Sequence, residues 1–173
     1  MKIWLTTDTH LSHARMIEFG RPPDYEDRIL KNLSVVKEDD LLIHLGDICI
    51  GRDEYNHKRF FDVVKCKSWL IKGNHDKKSF TWYMNHGWSF VGEQISLHFG
   101  GRNVLISHRP VDMKDSLFEI NIHGHLHDNI HRIEEHSFLG PKNYLLALER
   151  TNYQPVLLEN ILTDFFRVPK LDL

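Results

Sequence analysis

The sequence predicts an α/β fold, and three observations carry that prediction. Over the first half of the 173 residues, apolar runs of strand length alternate with stretches of helical spacing, in the order β-α-β-α-β-α. After Gly87 the texture changes to short strand-like runs parted by Gly-rich turns. Polar motifs sit where the apolar runs end, which is where open α/β sheets collect ligands.

The elements follow in order. Ile3–Thr7 reads as a strand ending at Asp8, and Leu11–Pro23 as a loop broken by Gly20 and Pro22-Pro23. Asp24 is placed to cap a helix in which Ile29, Leu30, Leu33 and Val36 recur at helical spacing. Leu41–Leu45 is a continuous apolar run, as in a strand covered on both faces. Asp53–Lys65 reads as a helix with Phe60, Phe61 and Val64 as its apolar stripe, then Trp69–Lys72 as a strand. Lys77–His86 reads as a helix closed by Gly87. Trp88–Val91, Gln94–Phe99 and Asn103–Ser107 are short strands, with Gly100-Gly101-Arg102-Asn103 as a hairpin turn. Asn121–His123 is another. Tyr144–Glu149 and Pro155–Leu158 are expected as two more around Thr151-Asn152-Tyr153-Gln154, and Glu159–Phe166 as a closing helix. No repeat or linker interrupts the chain, so residues 1–173 are expected to form a single domain with the site between its halves.

Composition narrows the partners. Apolar residues make up 41% and charged residues 27%, ordinary for a globular protein. A net charge of −2 argues against a surface built to coat nucleic acid, so no stable nucleic-acid binding is expected. Cys49 and Cys66 have neither disulfide-framework nor zinc-knuckle spacing, and each reads as a small buried apolar residue. A reducing, cytoplasmic compartment is expected. The N-terminus lacks the apolar length of a signal peptide, and no run approaches a membrane span. The outlier is 13 His, more than a surface needs, which fits metal chemistry.

Five motifs run along the chain: Asp8-x-His10, Gly46-Asp47, Gly73-Asn74-His75-Asp76, Ser107-His108 and Gly124-His125-x-His127. Alone, each has a bland explanation. Gly46-Asp47 suits an ordinary turn, and a lone His108 is more often packed than a ligand. His125 and His127 are stronger, because a period of two points both to one side of an extended segment. The order of all five, each at a strand end, raises the case. Two Asp, one Asn and several His are the inventory of a two-metal site for displacement at phosphorus.

These motifs resemble the calcineurin-like metallophosphoesterase superfamily, and the resemblance covers Asp8 to His127. The Asp8-Thr9-His10-Leu11-Ser12-His13 opening and the small size are similar to its compact bacterial and phage phosphoesterases. The resemblance implies a four-layer αββα sandwich of two mixed β-sheets flanked by helices, with a dimetal site at the C-terminal ends of strands. It implies a first metal held by Asp8, His10, Asp47 and His127, and a second held by Asp47, Asn74, His108 and His125, with Asp47 bridging. A carboxylate has two oxygens and can span cations about 3.5–4 Å apart. The mixed shell suits two divalent ions, Mn²⁺ first, with Fe, Ni, Co or Zn as alternatives.

The activity implied is hydrolysis of phosphodiester bonds, nucleotides among the candidates, with a metal-bridging hydroxide as nucleophile. His75 resembles the histidine that protonates the leaving oxygen or holds the phosphate, a role that suits a histidine, whose side chain as a type titrates near neutral pH. Asp76 is the candidate to orient it, and is equally placed to cap the helix that follows. His13, Arg15 and Arg109 are the candidate substrate-binding residues. Solvated surface is the plainer reading for Arg15 and Arg21, and His123 reads as structural. Three readings compete with a phosphodiesterase: a phosphomonoesterase or nucleotide pyrophosphatase, a non-catalytic metal-binding scaffold of the same fold, and a DNA nuclease. The last lacks a basic stripe here.

Overall fold

The structure is a computed structural model and describes residues 1–167. In chain order the elements are β1 (Ile3–Thr6), α1 (Arg15–Glu18), α2 (Tyr25–Leu33), β2 (Leu41–His44), α3 (Asp53–Val63), β3 (Lys67–Ile71), α4 (Phe80–Asn85), β4 (Phe90–Gly92), β5 (Gln94–Phe99), β6 (Arg102–Ser107), β7 (Ile120–His123), α5 (Ile130–Glu134), β8 (Asn143–Leu145), β9 (Val156–Leu157) and α6 (Leu158–Arg167). They build two mixed sheets with flanking helices. One has the order β4-β3-β2-β1-β9, with β1 to β4 parallel and β9 antiparallel. The other has the order β5-β6-β7-β8, with only β5 antiparallel to its neighbour.

Strand alternation divides the core in two. Leu5, Ile43 and Ile71 face Val104, Ile106, Ile120 and Ile122 of the other sheet. Leu42 and Leu70 face the opposite way, into a layer formed by Ile29 and Leu33 of α2 and Phe60 of α3. With both faces covered, β2 is buried at every residue, which is why its sequence reads as an unbroken apolar run. Tyr83 and Trp88 belong to the helical layer and Trp82 packs against it, so these aromatics serve the core. Cys49 and Cys66 are both free and buried.

The hairpin is as expected: Phe99 pairs with Arg102 across Gly100 and Gly101, whose φ values of +58° and +75° suit a mirror-image two-residue turn. Other expectations need correction. The expected loop Leu11–Pro23 contains the one-turn α1. The helix expected over Lys77–His86 begins only at Phe80, because Ser79 caps it by accepting the Trp82 N–H. The last two strands do not pair around a turn. β8 extends the second sheet beside β7, while β9 crosses to the first sheet beside β1. Among the described residues no helix is long and apolar enough to cross a membrane.

Candidate metal centre

The site begins where β1 and β2 end. Their parallel pairing continues past the strands as a ladder of main-chain bonds. Asp8 N–H donates to Gly46 O at 2.9 Å, His10 N–H to Asp47 O at 3.0 Å and Leu11 N–H to Ile48 O at 2.8 Å. This stitching sets Asp8 and His10 beside Asp47. The backbone there is unusual: Asp8, His10, Asp47, His125 and His127 all adopt positive φ, between +46° and +68°. Few non-glycine residues do so, and such residues gather at functional sites. The Gly-Asp and Gly-Asn pairs also have a steric reason. A Cβ on Gly73 would strike the Asp47 carboxylate, and one on Gly46 would strike the Gly73 backbone.

Asp8, His10 and His127 form one cluster of possible ligands, and Asp47, His108 and His125 a second. In the first, His10 Nε2 lies 3.7 Å from Asp8 Oδ1, and His127 Nε2 lies 3.8 Å from the same oxygen. Asp8 Oδ2 accepts from the Thr7 hydroxyl and the His125 N–H, so Oδ1 alone faces the cluster. Burial works against the Asp8 carboxylate, but the imidazoles of His10, His127 and His108 outweigh it and hold its pKa well below the usual range. Burial pushes His10 down to about 4, so its imidazole is neutral at neutral pH.

In the second cluster, His108 Nδ1–H donates to Leu45 O at 2.8 Å, which leaves a lone pair on Nε2. That lone pair lies 3.5 Å from Asp47 Oδ2 and 3.1 Å from both Asn74 Oδ1 and His125 Nδ1. Asp47 Oδ2 is also 3.7 Å from His10 Nε2, so one carboxylate oxygen faces both clusters. Its other oxygen accepts the His75 N–H at 2.7 Å. Burial raises Asp47 to about 6, helped by the charges of Asp8 and Asp76. His125 is pushed down to about 3 by burial and then by His108.

Both clusters fit divalent cations. Asp8 Oδ1 and His10 Nε2 are buried and have no hydrogen-bond partner. A buried orphan of either kind is costly, and a cation relieves both at once. The His108 lone pair facing the Asn74 amide oxygen at 3.1 Å is repulsive for the same reason.

Behind the clusters stand residues whose roles the sequence did not suggest. Arg21, read as solvated, is 3% exposed. Its guanidinium donates to Asp8 O at 2.9 Å and to Glu149 Oε1 at 2.8 Å. Glu149 Oε1 lies 3.4 Å from His127 Nδ1, behind the ring. Burial opposes the Glu149 charge, yet His127 and Arg21 hold its pKa at about 2. A carboxylate behind an imidazole fixes its orientation and raises its basicity. Asp76 needs correcting too. Its carboxylate accepts the N–H groups of Asp47, Gly73 and Ile48 at 2.8, 2.8 and 3.2 Å, and among the described residues no hydrogen bond joins it to the His75 ring. It neither orients His75 nor caps a helix; it ties two ligand loops together. His44 does similar work: its Nδ1 accepts Gly46 N–H and its Nε2 meets the Thr9 hydroxyl. His123 is buried against Gly124 O, as a structural residue should be.

The remaining candidates border two cavities. One, of about 560 Å³, is lined by His10, His13, His75 and His127. The other, of about 280 Å³, is lined by Lys72, Asn74, His108 and Arg109. Arg15 reaches neither. It pairs with Glu18 at 3.8 Å and stands over the Phe19 ring, 5.2 Å from its centroid.

Residues 1–145 match the family described as the calcineurin-like phosphoesterase superfamily domain. The chain belongs to that superfamily. Its members' phosphoester chemistry supports a hydrolase here. A relative from Methanocaldococcus jannaschii, the uncharacterized protein MJ1445, is 29% identical over 92% of this chain and 89% of its own length. The protein of unknown function AQ665 from Aquifex aeolicus shares the fold at a TM-score of 0.76, with 22% identity over 94% of this chain and 98% of that one. A described novel archaeal phosphodiesterase overlaps less, with a TM-score of 0.47 and 21% identity over 74% of each chain. Glu149 falls after the matched residues, so the family pattern gives no signal for it.

Proposed function

We propose that this chain is a dinuclear metal-dependent phosphodiesterase acting on a small phosphoester, with residues 1–173 working as one domain. The observation that supports it most is the pair of candidate ligand clusters facing one carboxylate oxygen of Asp47, with one cavity bordering His10 and His127 and another bordering Asn74 and His108. Asp8, His10, Asp47 and His127 would hold one divalent ion, and Asp47, Asn74, His108 and His125 the other, Mn²⁺ being the first candidate. When bound, the ions supply Lewis acidity for attack at phosphorus and offset charge on the phosphoryl oxygens.

The chain's own residues do the rest. His10 and His125 present neutral imidazoles because burial disfavours their protonated forms. His75 is held at its main chain by Asp47, while among the described residues no side-chain hydrogen bond occupies its ring. That ring is 41% exposed and borders the larger cavity, where it donates a proton to the leaving oxygen. Arg109 lines the smaller cavity, where it offsets charge on the phosphoryl oxygens beside the retained arm. A diester has an arm for each cavity and a monoester has one.

Hydrolysis of a chromogenic phosphodiester and its monoester by metal-stripped and Mn²⁺-restored protein tests this. Metal-dependent turnover favouring the diester is expected, and Asp47→Asn should lose it. No turnover with Mn²⁺, Ni²⁺, Co²⁺, Fe²⁺ or Zn²⁺, despite two bound ions, would overturn the enzyme reading in favour of a scaffold.

A further inference from the structure

The larger cavity is bigger than a phosphate needs, and its walls differ from the ligand clusters. Its volume of about 560 Å³ lies within the usual range of about 300–1,000 Å³ for small-molecule sites. One end is formed by His10, His75 and His127. Its lining also includes Met16 and Phe19 of the α1 segment, Asn129, Ile130 and Arg132 of the α5 segment, and the carboxylates of Asp128 and Glu149. Phe19 and Ile130 are each 64% exposed, an expensive state for large apolar groups set so close to a polar site. Met16, on the same cavity, is buried. A phosphate, or a short aliphatic alcohol leaving from it, would gain nothing from this wall. A flat ring would.

The polar groups on the same wall narrow the ring's chemistry. Arg132 donates to His125 O, which pins the α5 segment to the second ligand cluster and fixes Ile130 relative to the reacting centre. Asn129 caps α5 by accepting the Arg132 N–H through its side-chain oxygen, so its amide –NH₂ is free to meet an acceptor on a ring edge. Arg15, over the Phe19 ring at 5.2 Å, stiffens that ring from outside the cavity.

We infer that this cavity is a nucleoside subsite: a heteroaromatic base lies against Phe19 and Ile130, with its ester oxygen toward His75. The inference rests on the phosphodiesterase reading and names the leaving arm of the substrate. It gives Phe19 and Ile130 a part in specificity.

The test uses the Mn²⁺-loaded protein and binding, so that it is separable from turnover. Adenosine 5′-monophosphate and ribose 5-phosphate carry the same sugar phosphate and differ by the base. Calorimetric titration should show the nucleotide binding about ten-fold tighter, the scale of one base stacked on an aromatic side chain. Phe19→Ala should bring the two ligands to within about two-fold. Ile130→Ser should narrow the gap as well, and both positions are exposed enough for the fold to tolerate them. Equal affinities in the wild-type protein, or a preference that survives both substitutions, would overturn the subsite. If the base preference is present but no phosphodiester is turned over, the subsite stands as a nucleotide-binding site and the phosphodiesterase reading fails.

Discussion

Behind the Asp8–His10–His127 cluster stands an ion pair, Arg21 with Glu149. Behind the Asp47–His108–His125 cluster stand a main-chain carbonyl, Leu45 O, and the carboxylate of Asp76. The first cluster is steadied through charge at long range in the chain. The second is steadied through amides of neighbouring loops. The difference teaches that the clusters should respond differently to substitution, although they share Asp47.

The largest effect falls on the shared residue. Asp47→Asn should lower Mn²⁺-dependent turnover roughly a thousand-fold, about 4 kcal/mol of barrier. It should also have an opposite effect on the metal-free fold. The Asp47 pKa is raised from 3.8 to about 6. The unfolded chain therefore ionises first, and the folded carboxylate destabilises as pH rises through that window. Metal-free Asp47→Asn should melt above the wild type at pH 7, with the gap closing below about pH 4. Equal melting at both pH values would refute the buried, charge-crowded state of Asp47.

His75 separates ligation from proton transfer. His75→Asn should lower kcat by about 10²–10⁴ while both ions still bind, as metal analysis of the purified variant would show. A variant that binds one ion would place His75 among the ligands.

Asp76 and Glu149 sharpen the contrast. Asp76→Asn keeps an oxygen for the Asp47 and Gly73 N–H groups but sets its amide –NH₂ against the Ile48 N–H, and should cost about 1–3 kcal/mol in chemical denaturation of metal-free protein. The pH profile of its residual activity should match the wild type, and a displaced acid limb would return Asp76 to a role on His75. Glu149→Gln should weaken one of two Mn²⁺ binding steps by about 10–100-fold and spare the other. Calorimetry resolves the two steps, and equal weakening of both would dissolve the distinction between the clusters.

The last effect is on acid stability. Burial lowers His44 to about 3 and His57 and His123 to about 4. The unfolded imidazoles take protons near pH 6.5, before the folded ones do. Stability is therefore fully present above pH 6.5 and lost as pH falls toward 4. Thermal melts in the Asp47→Asn background read this without the opposing carboxylate. A flat profile there would mean these rings are more hydrated than their burial implies.

Much of the site was legible because its parts are local. Each candidate ligand follows a strand, so strand and motif announce one another, and the glycines are dictated by close approach of Gly46, Gly73 and Asp47. What the sequence could not show is contact at a distance. Arg21 and Glu149 are 128 positions apart and meet only because the segment after β8 returns to the β1 loop. Nothing in either neighbourhood marks the pair, and an arginine beside Gly20 and Pro22 looks solvated. Asp76 misled for a related reason. Its sequence neighbour is His75, but its side chain turns the other way, toward amides that have no other acceptor. The fate of the last strands was equally hidden, since β8 and β9 are too short for pattern to say which sheet they join.

The positive-φ geometry at five of the candidate ligand positions limits where this arrangement can be copied. Regular helices and strands do not offer that backbone. A designer who grafts the same side chains onto an idealised scaffold would obtain the inventory without the convergence. The unit that can be transplanted is the set of strand-end loops together with the Asp76 and Glu149 carboxylates that hold them.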